Sequence, residues 1–302
     1  RRFKITTFLL ALLVAGAEPE ELLASAIASA RGMGELAVSN ALGTNICIVS
    51  FALALGAAIM PVRVDKGSIR HGVIALIASA FPLFFLVNFR VTRAEGLLLV
   101  ALFFVYVWYA LTRERLDLEL EDVSVRELMV ETAGREEATV SESIEEGEKE
   151  AGEKSAQKSA FLVLIGLGIM GLGGNWLVSG AEGIIQKLHL SEAVVGLTFV
   201  SFATSAEMIA LSVIPLYKGH PEITLGGIIG SYIYNILLTL GIAATVHPIG
   251  FSKETLTVDF PVMVGALGAV LLFARKGQLD RREGILLMLG YLAYIYYTFA
   301  FR

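Results

Sequence analysis

Polar residues in this chain gather into short clusters that separate long apolar runs. A ruler of about 20 apolar residues per membrane-spanning helix picks out segments 5–30, 36–60, 71–89, 94–112, 159–185, 191–217, 223–246, 257–274 and 284–301. Only the first and sixth segments carry carboxylates in mid-span, and no lysine or arginine lies mid-span in any of them. The stretch 113–158 breaks the pattern, because 15 of the 29 acidic residues fall between Glu114 and Glu153. It has too little apolar surface to fold by burial and is expected to be a solvated, disordered linker outside the membrane. The chain therefore divides into a first half, 1–112, with four spans, the acidic linker 113–158, and a second half, 159–302, with five spans.

Threading the spans alternately across a bilayer puts 18 of the 24 lysines and arginines on one face and 6 on the other. Positive charge collects on the cytoplasmic side, so Arg1 and the linker are expected in the cytoplasm and Arg302 outside. The predicted location is the plasma or inner membrane, crossed many times.

The chain also repeats itself. Sliding it by 187 residues without a gap matches Glu20 to Glu207, Ser25 to Ser212, Gly32 to Gly219, Glu35 to Glu222, Gly43 to Gly230, Ile46 to Ile233 and Pro61 to Pro248, with Thr44 on Ser231. The two copies start five spans apart, an odd number, so they must run in opposite directions through the membrane. That is an inverted-topology repeat, a design that puts a substrate site near mid-depth between the halves. The predicted fold class is thus an all-α integral membrane protein made of two five-helix halves. The span 159–185 has no counterpart in the first half, so one further helix is expected before Arg1.

Composition narrows the function. The 302 residues are 55% hydrophobic and 18% charged, with a mean hydropathy of +0.70, whereas soluble domains carry about a quarter charged residues. A soluble enzyme and a nucleic-acid module are both excluded, and membrane lipid is the expected surrounding. The single cysteine, Cys47, leaves no disulfide or cysteine metal cluster. No phosphate loop, nucleophile elbow or HExxH motif is present, so neither an enzyme nor a bound cofactor is predicted. His71, His189, His220 and His247 fall near span ends, where an interfacial histidine is the default reading.

The chemistry concentrates in two places. In the first span, Ala15-Gly16-Ala17-Glu18-Pro19-Glu20-Glu21 interrupts an apolar run. A carboxylate at the bilayer centre costs at least about 2.5 kcal/mol, and Pro19 cannot continue the backbone ladder. Irregular backbone at that depth is tolerated only where it lines protein or a wet cavity. Carboxylates and freed carbonyls make an all-oxygen cage suited to hard cations such as calcium, magnesium or sodium. The sixth span repeats the theme in Phe202-Ala203-Thr204-Ser205-Ala206-Glu207. Gly43-Thr44 and Gly230-Ser231 open the small-residue faces of the next spans, and Ser231 and Asn235 stand one turn apart on one helical face.

At these residues the chain resembles the calcium/cation antiporter superfamily, whose two repeats each carry a Gly-rich motif ending in Glu and a Gly-Ser-x-x-x-Asn motif on the following helix. The resemblance extends to the acidic loop and to Gly174-Asn175-Trp176-Leu177-Val178-Ser179-Gly180. It implies that Glu20 and Glu207 are the central cation ligands, with Ser231, Asn235 and Thr44 beside them. Thr204, close to Glu207 in the sequence, reads from its hydroxyl as a further ligand. The chain departs from the sodium/calcium pattern Gly-Thr-Ser-x-Pro-Glu at Gly16, Ala17, Glu18 and Ala206, and its second motif is equally similar to that of proton-coupled exchangers.

The function expected is secondary antiport of a divalent cation, calcium, for sodium or protons by alternating access around two glutamates. The transported inorganic ions are thus Ca2+ and Na+ or H+. The rival class is a cation channel or ion-sensing receptor using the same glutamates. Glu18, on the far side of Pro19 from Glu20, is expected at the cavity edge as a proton acceptor.

Overall fold

A computed structural model describes residues 6–85, 88–132 and 148–302. The first span is not one helix. It consists of α1 (Thr7–Leu10), a π turn over Ala11–Ala15, and α2 (Pro19–Ala30), with a break at 16–18. Pro19 opens α2, where its missing N–H costs nothing. The first half continues with α3 (Gly34–Ile59), α4 (Lys66–Ala78), α5 (Ala80–Phe85) and α6 (Arg93–Thr132). After the linker come α7 (Glu148–Leu188), α8 (Glu192–Thr204), α9 (Ala206–Tyr217), α10 (Pro221–Val246), α11 (Thr255–Ala274) and α12 (Arg281–Phe301).

Among the described residues, α3, α6, α10, α11 and α12 are each long and apolar enough to cross a membrane, and α8 with α9 would make a sixth span bent by 43°. The segment 71–89 falls on α4 and α5, and 159–185 lies within α7. The acidic linker departs from expectation at both ends, since α6 runs on to Thr132 and α7 begins at Glu148. Leucine, glutamate and lysine are good helix formers, and they dominate these stretches. Residues 133–147, where the rest of the linker falls, lie outside the described ones.

The 187-residue register recurs in the backbone. The bounds of α2 shifted by that interval are those of α9, and those of α3 become those of α10. Gly32 and Gly219, mates in the repeat, both turn the chain at positive φ, +78° and +81°, a conformation that glycine adopts without penalty. Four two-residue strands complete the pattern: β1 (Val62–Arg63), β2 (Arg90–Val91), β3 (Ile249–Gly250) and β4 (Gln278–Leu279). β1 pairs antiparallel with β4, and β2 with β3. Each pair clips a loop of one half to a loop of the other, and each joins loops that the alternation of spans puts on the same face. This is the inverted repeat in three dimensions.

The mates α3 and α10 form the interior. In the apolar stretch of α3, 78% of residues are buried, and in that of α10, 89%, against 22% to 28% for α6, α11 and α12. The outer helices expose Phe104, Trp108, Leu272, Leu292 and Tyr296, as a lipid-facing surface requires. Glycines let the inner helices touch. A Cβ on Gly230 would lie 2.0 Å from the Leu12 carbonyl oxygen, and one on its mate Gly43 would lie 2.8 Å from Ser201 and Leu197. His71 is an exception to the interfacial reading, being fully buried with Nδ1 3.1 Å from the Tyr106 hydroxyl.

Candidate functional site

The break between α1 and α2 sets the site. Gly16 lies against the backbone of α10, where a Cβ would come within 2.6 Å of the Ser231 nitrogen. Glu18, the residue before Pro19, has non-helical backbone, φ −115° and ψ 77°. Its side chain is thereby aimed across the interface at the other half. Ser231 donates a hydrogen bond to Glu18 Oε2, and Asn235 Nδ2 donates to the same oxygen at 2.6 Å. Thr239 donates to Asn235 Oδ1 at 3.2 Å, which fixes the amide so that its NH2 faces the carboxylate. Glu18 is only 1% exposed, and so lies in the interior rather than at a cavity edge.

In the first turn of α2, Glu21 also enters the interior, towards α3 rather than α10. It is fully buried and accepts a hydrogen bond from Thr44 of α3 at 2.5 Å. Thr204, at the end of α8, lies 3.4 Å from the Thr44 hydroxyl, and Thr204 and Asn40 approach the same carboxylate. Two carboxylates, three hydroxyls and two amides from both halves therefore meet in one buried region.

Their hydrogen bonding is incomplete. Glu18 Oε1, Glu21 Oε2, Asn40 Oδ1 and Ser205 Oγ are buried and accept or donate nothing, although buried polar atoms are almost always paired. Among the described residues no lysine, arginine or histidine pairs with Glu18, Glu20 or Glu21. Two uncompensated acids in an apolar interior call for a cation. No set of three or more acidic, histidine or cysteine side chains converges on one point among the described residues. The cluster is thus a pair of carboxylates filled out by neutral oxygens, a hard-cation donor set.

Glu20 and Glu207 share none of these hydrogen bonds. Two residues along from Glu18, Glu20 has both oxygens buried and unpartnered, and its carboxylate is beside that of Glu207 while within electrostatic reach of Glu18 and Glu21. Glu207 is exposed. Mates of a two-fold repeat can touch only near the axis relating them, so this pair sits where the halves meet. Of the seven residues singled out from the sequence, Glu18, Thr44, Thr204, Ser231 and Asn235 come together, while Glu20 and Glu207 form a separate pair.

Glu21 was missing from that set. Its mate at the 187-residue interval is Met208, so a search for acids matched between the halves passes over it. Its place in the first turn of the helix that Pro19 opens, within an otherwise apolar run, was a signal that could have found it.

The family model for sodium/calcium exchanger proteins matches residues 1–112 and 158–300. A putative antiporter, CaxA, from Alkalimonas amylolytica is 29% identical over 299 residues, covering 96% of this chain and 87% of that protein. The sodium/calcium exchanger MaX1 from Methanosarcina acetivorans is 29% identical over 143 residues, 47% of this chain and 41% of that one. A solved structure of the sodium-calcium exchanger NCX_Mj, soaked with sodium and strontium, superposes with a TM-score of 0.67 at 25% identity, covering 99% of this chain and 89% of that one.

Proposed function

The chain belongs to the sodium/calcium exchanger protein family, and on that premise we propose that it exchanges calcium for sodium or protons across the plasma or inner membrane through the cluster around Glu18 and Glu21. The observation that carries this reading is the buried carboxylate pair with unsatisfied oxygens and no basic partner among the described residues. Thr44, Thr204, Ser231 and Asn235 complete the donor set.

The geometry supports coupled exchange rather than leak. Empty and ionised, two carboxylates in a low-dielectric interior repel one another. Reorientation of an empty site would carry that repulsion through the membrane, whereas a divalent cation, monovalent cations or protons relieve it. Only loaded forms cross, so flux in one direction requires flux in the other. The hydroxyl and amide donors come from α3, α8 and α10, which belong to different halves. Relative movement of the halves therefore rebuilds the donor set and opens it to one face at a time. Glu20 and Glu207 form an outer pair on the approach to it. The acidic linker faces the cytoplasm in this arrangement, following the excess of basic residues on that face.

A channel would conduct without a counter-ion. Calcium uptake into proteoliposomes, driven in one arm by a sodium gradient and in another by a pH gradient, separates the readings. Uptake that needs a counter-ion on the opposite face supports antiport and identifies that ion, and calcium conductance with neither gradient refutes it.

A further inference from the structure

We infer that Glu18 supplies the site's second negative charge from the first half, in place of an acid that the second half lacks at Met208. The inference rests on the reading of Glu18 and Glu21 as cation ligands and concerns how the charge is distributed between the halves.

The argument starts from the hosts of the two carboxylates. Glu21 accepts from Thr44, and Glu18 accepts from Ser231. Thr44 and Ser231 are mates at the 187-residue interval, so the two carboxylates occupy equivalent places on equivalent helices. An even repeat would fill the place on Ser231 from residue 208, the mate of Glu21. That residue is methionine, fully buried and without charge. The place is filled instead from across the interface by Glu18, whose own mate is Ser205.

The backbone explains how Glu18 reaches it. In the first half the link between α1 and α2 is non-helical at Glu18, and Gly16 allows it to lie directly on α10. At the corresponding point of the second half Ser205 is helical, φ −73° and ψ −3°, and α8 passes into α9 with a bend of 43°. A side chain at 205 therefore stays with its own helix, and Ser205 Oγ is left unpartnered. Both charges consequently ride on the N-terminal end of α2, while the second half contributes neutral oxygens from Thr204, Ser231 and Asn235.

The transposition can be reversed. Methionine and glutamate have unbranched side chains of similar volume, so Met208→Glu conserves volume, and its buried charge needs the donors that Glu18 vacates. With Glu18 reduced to serine, the residue of its mate, the acid returns to the second half. Glu18→Ser is expected to lower calcium uptake into proteoliposomes at least about tenfold, a change of about 1.4 kcal/mol. Adding Met208→Glu to it is expected to restore most of the flux and the calcium-dependent rise in melting temperature of the detergent-solubilised protein. The neutral double variant, Glu18→Ser with Met208→Gln, is expected to restore neither.

A monodisperse Glu18→Ser, Met208→Glu protein as inactive and as insensitive to calcium as Glu18→Ser alone overturns the transposition while leaving the buried site intact. Equal rescue by glutamine overturns it as well. If the glutamate variant does not give monodisperse protein, Met208→Asp is measured in its place with the same criteria. Full activity in Glu18→Ser would instead remove Glu18 from the site, and both the site reading and this inference would fall together.

Discussion

Residues 16–21 and 203–208 occupy the same position in the two halves of the molecule, yet they do different work. In the first, the chain leaves its helix at Gly16, passes Glu18 in non-helical backbone and restarts at Pro19, which puts Glu18 and Glu21 into the interior. In the second, the helix only bends, hydroxyls stand at Thr204 and Ser205, and Met208 fills the interior position. The helices that frame the two segments begin and end in register, and the glycines Gly43 and Gly230 seat them alike. Scaffold symmetry is therefore kept while the fully buried acids of the cluster, Glu18 and Glu21, come from one half only. Packing geometry is demanded at every point of an inverted fold, whereas a cation site of the kind proposed requires only that the right number of oxygens and charges reach the same place.

The strongest way to break this comparison is to neutralise the charged segment. Glu18→Gln and Glu21→Gln are each expected to lower calcium exchange by about a hundredfold or more, the equivalent of about 2.7 kcal/mol, while the protein still elutes as a single species. Exchange within about threefold of wild type in either variant, a difference of under 1 kcal/mol by the same relation, would separate that residue from the site.

Damage to the shared scaffold comes next. Gly230→Ala would drive a methyl into the Leu12 carbonyl at 2.0 Å, with backbone on both sides and no flexible side chain to yield. It is expected to cost folded protein, with a destabilisation of about 1 to 3 kcal/mol read as a lower melting temperature. Gly268→Ala, on the outer helix α11 with nothing within 4 Å of the added carbon, is the control and should not lower melting, since alanine favours a helix over glycine.

Smaller effects are expected from the neutral donors. Asn235→Ala and Thr44→Ala each remove one hydrogen bond to a buried carboxylate, a loss of about 1.5 to 3 kcal/mol in the charged case, and should weaken the apparent calcium affinity about tenfold or somewhat more. Matched losses at Thr44 and at its mate Ser231 would sharpen the view that these two helices host equivalent carboxylates.

The smallest effect is expected at Glu207. It is exposed and stands outside the buried cluster, so Glu207→Gln should change exchange by no more than about threefold, again less than 1 kcal/mol. A hundredfold loss there would move the centre of the site to the Glu20–Glu207 pair.

Much of the architecture was legible because it follows from periodic constraints. Apolar runs, the 187-residue interval and the turn glycines Gly32 and Gly219 all reflect backbone requirements that the two halves share. The helical ends of the acidic linker were less legible, because charge density argues for solvation and says little about whether a solvated stretch is helical. Within the proposed site, Thr44, Ser231 and Asn235 lie inside continuous helices, where spacing predicts direction. Glu18, Glu20 and Glu21 straddle a helix break, where a few degrees of backbone decide which acid enters the core, and the matched pair Glu20 and Glu207 drew attention from the unmatched Glu21.

Strontium scatters anomalously and stands in for calcium, so a crystal of this protein grown with strontium locates the ion without reference to activity. An anomalous peak coordinated by Glu18 and Glu21 at about 2.3 to 2.6 Å, the range for such hard cations with oxygen, and shared with Thr44, Ser231 or Asn235, is the result expected. A peak held between Glu20 and Glu207, with Glu18 and Glu21 still bound only to their present donors, would contradict it.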